Sequence, residues 1–233
     1  GEFKQWSWLI KTDVNGEVLW DKVIEGGDEY MRTAAIESTM DGGILLCGLI
    51  WTEIGNFDPY AIKFNACGEK EWCTIFASST QINPWAQDIK ETQSGDIIIL
   101  VNQYGEDNIE DMDLFKLNSI GELQWKGTYC SGNVYPESLA PIGRNLIITQ
   151  ANNYLIAGEV YWADPWNPGG PKGIRSVFVE VDENGNENWV LPFGLQDSIY
   201  GQGKNVLEID SNRFIGVANK WPIETLETVL VEF

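Results

Sequence analysis

Short apolar runs alternate with polar turns along the whole chain, and no segment carries the three- and four-residue apolar spacing of a helix. The runs come in pairs. Trp8-Leu9-Ile10-Lys11 leads into a turn entered at Asp13. Tyr60-Ala61-Ile62-Lys63, Asp113-Leu114-Phe115-Lys116 and Val177-Phe178-Val179-Glu180 lead likewise into Asn65, Asn118 and Asp182. Each turn holds a glycine with a tryptophan four residues later: Gly16 and Trp20, Gly68 and Trp72, Gly121 and Trp125, Gly185 and Trp189. The glycines are 52, 53 and 64 residues apart, so the chain is a fourfold repeat. An Asx side chain followed by glycine suits a tight hairpin, because Asx bonds the nearby backbone and glycine accepts a positive φ. The charged position five before each glycine (Lys11, Lys63, Lys116, Glu180) has apolar neighbours on both sides, as in a strand covered on both faces.

A second hairpin fills the other half of each unit. It reads Ala35 to Ser38, a turn at Asp41-Gly42-Gly43, then Ile44 to Gly48. Its counterparts are Asp88 to Lys90 with Ile97 to Leu100, Leu146 to Ile148 with Tyr154 to Gly158, and Val206 to Ile209 with Phe214 to Val217. Four strands per unit, joined by hairpins and without helices, predict an all-β fold of propeller type.

The run from Trp8 to Trp20, with Gly26-Gly27-Asp28 and Asp41-Gly42-Gly43 after it, resembles repeats of bacterial and archaeal β-propeller proteins, distantly similar to quinoprotein-like (PQQ-type) blades. The likeness covers nearly the whole chain, residues 1–233, read as one β-propeller domain or part of a larger propeller. It implies that each Gly-x-x-x-Trp hairpin forms the third and outermost strands of a blade. The chain then begins in a third strand and ends in one, Thr228 to Phe233, giving 17 strands where a closed ring of four blades needs 16. The surplus strand points to a larger propeller or to an exchange of terminal strands.

Composition narrows the function. Fifteen basic and 35 acidic side chains give a net charge of −20, and the basic residues are scattered, so nucleic acid is not an expected partner. No apolar run reaches the roughly 18–20 residues of a membrane helix, and no membrane insertion is expected. There is no histidine, which removes His-dependent triads and His metal sites. No phosphate-cradling glycine loop followed by Lys-Ser/Thr is present. Cys47, Cys67, Cys73 and Cys130 have neither zinc nor redox spacing and read as free thiols or one incidental disulfide.

One series of residues points to binding. Trp51, Tyr104, Tyr161 and Trp221 each lie three residues after Gly48, Val101, Gly158 and Ala218, where the second strand of a unit runs into a loop. A ring of exposed aromatics there would stack on sugar rings or anchor a protein surface, and the same residues would otherwise cap the core at the rim. The third of these loops adds Trp162 and Trp166. The second is acidic, and Asp107, Glu110, Asp111 and Asp113 would supply oxygen ligands for Ca²⁺ or form a solvated acidic loop. The expected function is a non-catalytic binding or scaffold module for carbohydrate or protein, on the exterior or cell envelope of a prokaryote. Two rivals stand beside it: a glycan-cleaving enzyme using two carboxylates, and a purely structural segment of a surface protein. No cofactor is expected apart from possible Ca²⁺.

Overall fold

The computed structural model describes residues 6–24, 30–52, 57–77, 83–104, 110–130, 138–162, 173–193, 200–211, 213–220 and 227–233. Its strands are β1 (Ser7–Thr12), β2 (Val18–Ile24), β3 (Met31–Ser38), β4 (Ile44–Trp51), β5 (Phe57–Phe64), β6 (Lys70–Ile75), β7 (Trp85–Glu91), β8 (Ile97–Tyr104) and β9 (Glu110–Leu117). They continue as β10 (Leu123–Tyr129), β11 (Ser138–Ile148), β12 (Tyr154–Trp162), β13 (Gly173–Val181), β14 (Glu187–Phe193), β15 (Tyr200–Asp210), β16 (Arg213–Lys220) and β17 (Glu227–Glu232). Sequential antiparallel pairing gathers them into five sheets: β1–β2, β3–β6, β7–β10, β11–β14 and β15–β17. The architecture is thus all-β, with propeller-like blades. The three inner sheets are complete four-stranded blades, and each Gly-x-x-x-Trp hairpin forms the third and fourth strands.

Each outer hairpin is closed by the same local chemistry. The Asp13 N–H donates to the Glu17 carbonyl (2.9 Å) and the Gly16 N–H to the Asp13 carbonyl (3.1 Å). The pattern recurs at Asn65, Asn118 and Asp182. The Asx Oδ1 accepts two more backbone N–H groups, from Asn15 and Glu17 at Asp13, and from Cys67 and Glu69 at Asn65. Gly16, Gly68, Gly121 and Gly185 take φ values of 86, 77, 83 and 89°, a left-handed region costly to any residue with a Cβ. In the inner hairpins threonine replaces Asx. Thr39, Thr92 and Thr149 open the turns, and Asn152 (φ 61°) stands where Gly42 and Gly95 do in the other two.

The glycines have a second task that local chemistry does not reveal. A Cβ on Gly68 would lie 3.1 Å from the Trp20 ring, and one on Gly121 would lie 2.7 Å from the Trp72 ring. One on Gly185 would meet the Trp125 ring at 3.4 Å. Trp20, Trp72 and Trp125 therefore each cover the turn glycine of the next unit. Around this contact the Trp72 indole N–H donates to the Ser119 carbonyl (3.1 Å), the Thr74 hydroxyl to the Gly121 carbonyl (2.8 Å) and the Tyr129 hydroxyl to the Gly185 carbonyl (2.9 Å). Lys11 and Lys116 reach across in the same way to the carbonyls of Ala66 and Glu183. The third of the repeated lysines, Lys63, stays within its own sheet, 2.7 Å from Asp41 and 3.2 Å from Glu71.

Apolar cores lie between successive sheets. Leu9, Trp20 and Ile24 pack on Tyr60, Ile62 and Phe64. Leu45, Cys47 and Trp72 pack on Ile89, Ile99 and Leu117. Leu100, Leu114 and Trp125 pack on Leu146, Tyr154 and Val179, and Leu155, Phe178 and Trp189 on Val206, Phe214 and Phe233. The main packing of one sheet on another is between neighbours, giving an open series among the described residues.

Every first strand carries a bulge at the same place: Thr33/Ala35, Ala86/Asp88, Gly143/Asn145 and Gly203/Asn205. The extra residue breaks the two-residue alternation. This is why the sequence pattern began these strands only after it, at Ala35, Asp88, Leu146 and Val206, whereas they start at Met31, Trp85, Ser138 and Tyr200. The residue after the bulge links blades. Asp88 Oδ2 accepts the Leu146 N–H (2.8 Å) and the Asn145 amide (3.1 Å), and Asn145 Oδ1 accepts the Val206 N–H (3.1 Å).

Candidate binding rim and its surroundings

Up-and-down strand order sorts the connections to two ends of the sheets. All tight turns, of both hairpin types, fall at one end. The connections from second to third strand, and from one blade to the next, fall at the other. Trp51, Tyr104 and Tyr161 sit there, each seven residues after the first residue of its second strand (Ile44, Ile97 and Tyr154). The sequence register is thereby reproduced at three positions. They lie opposite Phe57, Glu110 and Ile174 on the neighbouring third strands.

Trp51 is the position described in full. Its side chain is 39% exposed, and its backbone N–H donates to the Tyr30 carbonyl (2.8 Å). Its ring meets Phe57 edge to face at 4.8 Å, and Phe57 meets Tyr30 at 5.8 Å in the same fashion. The Phe57 N–H is fixed by the Asn83 side chain at 3.2 Å. Three aromatic rings thus form a ridge at the loop end of the first complete blade, with the indole outermost. Such a surface offers an apolar platform, and each edge-to-face pair is worth about 0.5–1.5 kcal/mol beyond the area it buries. Sequence reasoning missed Tyr30 and Phe57. Phe57 was legible in principle, because it is the residue that pairs directly with Trp51 once β4 and β5 are aligned.

Tyr104 closes β8, and Tyr161 and Trp162 close β12. Trp166 and Trp221 lie outside the described residues, as does Asp107 of the acidic series. Glu110 opens β9. Asp111 follows it, and Asp113 turns into the sheet, where its buried carboxylate meets Lys126 Nζ at 2.8 Å and the Thr128 hydroxyl at 2.7 Å. No group of three or more acidic, cysteine or histidine side chains suited to a metal occurs among the described residues. The cysteines are free thiols, Cys47 and Cys130 buried and Cys67 and Cys73 exposed. Burial, with the charge of Glu187 nearby, pushes the Cys130 thiol up to about 12.

Beneath the rim, polar side chains bind blade to blade. Asn102 exchanges two hydrogen bonds with Gly143 of the next sheet, accepting its N–H at 2.8 Å and donating to its carbonyl at 3.0 Å. At the equivalent position Glu159 is fully buried, pairs with Arg144 and accepts from Gln202 of the next sheet at 3.2 Å. Glu37 and Asp88 converge on Lys90 Nζ, at 2.9 and 3.2 Å, which makes them an ion-pair cluster rather than a free acid–base couple. Away from the rim, an apolar cavity of about 410 Å³ lies between the last two sheets, lined by Trp189, Leu191, Phe214 and Phe233. Comparison of the sequence with known protein families and with curated proteins returned no match.

Proposed function

We propose that the chain is a non-catalytic binding or scaffold module whose loop end presents aromatic side chains to a carbohydrate or protein surface. The observation that carries this reading is Trp51, held edge-on by Phe57 and half in solvent, at a place the repeat reuses at Tyr104 and Tyr161. A ring with one free face and a fixed edge binds at little entropic cost, the property that enriches aromatics at recognition sites. The tight turns are constant and the opposite connections vary, as expected of a binding end on a constant scaffold. The strong negative charge favours neutral or cationic partners over phosphate-bearing ones. With the blade sequence's likeness to bacterial and archaeal propellers, it also supports a place on the cell envelope or exterior of a prokaryote. The PQQ-type likeness is one of blade sequence, and no cofactor is part of the proposal. Glu37, Asp88, Asp113 and Glu159 are each engaged by a cation, which disfavours these four as the acid pair of the glycan-cleaving alternative.

The test is intrinsic fluorescence of the protein titrated with a panel of neutral and basic oligosaccharides, in parallel with Trp51→Ala and Trp221→Ala variants. A saturable change that Trp51→Ala weakens about tenfold or more, with unchanged thermal stability, supports the reading. Equal responses from parent and variant, or no response to any glycan or to a basic protein surface, refute it.

A further inference from the structure

We propose that a polar cleft between the sheets β7–β10 and β11–β14, at their tight-turn end, binds one neutral, hydroxyl-rich unit of about hexose size. The cleft holds about 270 Å³, and its walls include Thr92, Ser94, Lys116, Asn152, Tyr154 and Glu183. That volume equals roughly nine waters' share of the liquid, far more than a packing defect. It arises where the repeat changes its chemistry. In the preceding sheet Lys63 is clamped by two carboxylates, Asp41 at 2.7 Å and Glu71 at 3.2 Å. One unit later the equivalent lysine is Lys116, and Ser94 and Gln124 stand where Asp41 and Glu71 did. Lys116 Nζ reaches Asp96 and the Glu183 carbonyl at 3.4 Å each, at the outer limit of contact, and hydrogen-bonds to the Tyr154 hydroxyl. On the facing sheet Asn152 and Tyr154 replace Gly95 and Ile97. A clamped ion pair has thereby become a polar cleft with a loosely held, largely buried ammonium at its wall.

The lining selects its ligand by charge. An anion is disfavoured, because the carboxylates of Asp96 and Glu183 both act on the Tyr154 phenol and the chain carries −20. A cation is disfavoured by the Lys116 ammonium. A neutral molecule with several hydroxyl groups suits both kinds of wall, since each hydroxyl donates and accepts. Lys116, Tyr154 and the Asn152 amide are donors, and the Thr92 and Ser94 hydroxyls and Glu183 are acceptors. Burial pushes the Tyr154 phenol up, so it keeps its proton. Asn152 holds a left-handed φ of 61° where the two earlier turns use glycine. That backbone is costly to a residue with a Cβ, and here it brings an amide side chain to the cleft. The site lies at the opposite end of the sheets from the aromatic rim and does not depend on it.

Backbone amide shifts of the ¹⁵N-labelled full chain, titrated with glucose, galactose, mannose and, separately, acetate, test this. At least one hexose should shift the amides of Ser94, Asn152 and Glu183 together and saturably, with Kd about millimolar, the range for a ligand this small. The Trp51 amide should stay in place, and Trp51→Ala should leave the titration unchanged. Ser94→Asp restores the carboxylate that the preceding unit sets against its lysine, so the fold should survive with Tm at or above that of the parent. It should weaken hexose binding about tenfold or more, because the ammonium is then taken and the cleft filled. Asn152→Gly, the residue of the two earlier turns, should keep the fold and weaken binding about two- to tenfold by removing one hydrogen bond. No saturable shift at these amides with any of the three hexoses overturns the proposal. So does acetate binding there in place of a hexose, or a folded Ser94→Asp variant that binds like the parent.

Discussion

Replacing Gly121 with alanine probes the contact that links one blade to the next. Two costs add. At φ 83° any Cβ is strained, by about 1–2 kcal/mol. The new methyl would also stand 2.7 Å from two carbons of the Trp72 ring, against about 3.5–4.0 Å for an ordinary carbon contact. The ring is pinned by its hydrogen bond to Ser119 and is not free to slide. Overpacking of this kind costs about 1–3 kcal/mol, giving roughly 2–5 kcal/mol in total. Gly185→Ala is the control, with a φ of 89° but a nearest approach of 3.4 Å, so only the strain of about 1–2 kcal/mol applies. In a domain of this size each kcal/mol lowers Tm by about 2–4 °C. Thermal unfolding followed by tryptophan fluorescence should therefore place Gly121→Ala below Gly185→Ala by several degrees. Trp72→Leu in the Gly121→Ala background should be less than additive, because the collision disappears with the ring. Equal losses at Gly121 and Gly185, or strict additivity with Trp72→Leu, would refute the reasoning.

Other consequences follow from the links between blades and from exposure. Asp88→Ala orphans the buried Leu146 N–H and should cost about 1–3 kcal/mol by urea denaturation, whereas Asn145→Ala should cost less, because the Val206 N–H also reaches Asn205 at 2.9 Å. The Asp41 carboxyl is held well below the usual range, chiefly by the Lys63 hydrogen bond, with Thr39 and the Gly43 N–H assisting. A depressed pKa stabilises the fold above the ordinary carboxylate value and is lost as pH falls through the folded one, so Asp41→Asn should flatten the decline of Tm below about pH 4. The effect will be small for a group half in solvent. A thiol reagent should titrate two cysteines in the native protein, Cys67 and Cys73, and four in denaturant; rapid native reaction at Cys47 or Cys130 would contradict their burial.

Much of this fold was legible because its signals are local. An Asx, a glycine and a strand on either side are read within about a dozen residues. The fourfold recurrence then supplied the grouping into blades and the tally of 17 strands, which the described residues reproduce. What stayed hidden spans a whole repeat. The sequence offers Gly68 as a turn and Trp20 as packing; only the packing of one sheet on the next joins them. Asp88 reads as an ordinary strand residue and Asn145 falls just before its predicted strand, although a bulge in each strand turns both toward the next blade. At the rim, the strand register placed Trp51, but its partners Phe57 and Tyr30 approach from across the loop, where one-dimensional periodicity carries no information.

The most direct measurement of the account is the NMR chemical shift of the glycine α-protons in dilute, glycine-labelled protein. In Gly68 and Gly121 one α-proton stands where a Cβ would collide with an indole ring, so the ring current should move it strongly upfield; Gly16, with nothing within 4 Å, should resonate normally. Trp72→Leu should return the Gly121 signal to the ordinary range and leave Gly68 unmoved. Four equivalent glycine signals, or a Gly121 signal indifferent to Trp72, would contradict the tryptophan-on-glycine linkage and the blade stacking built on it.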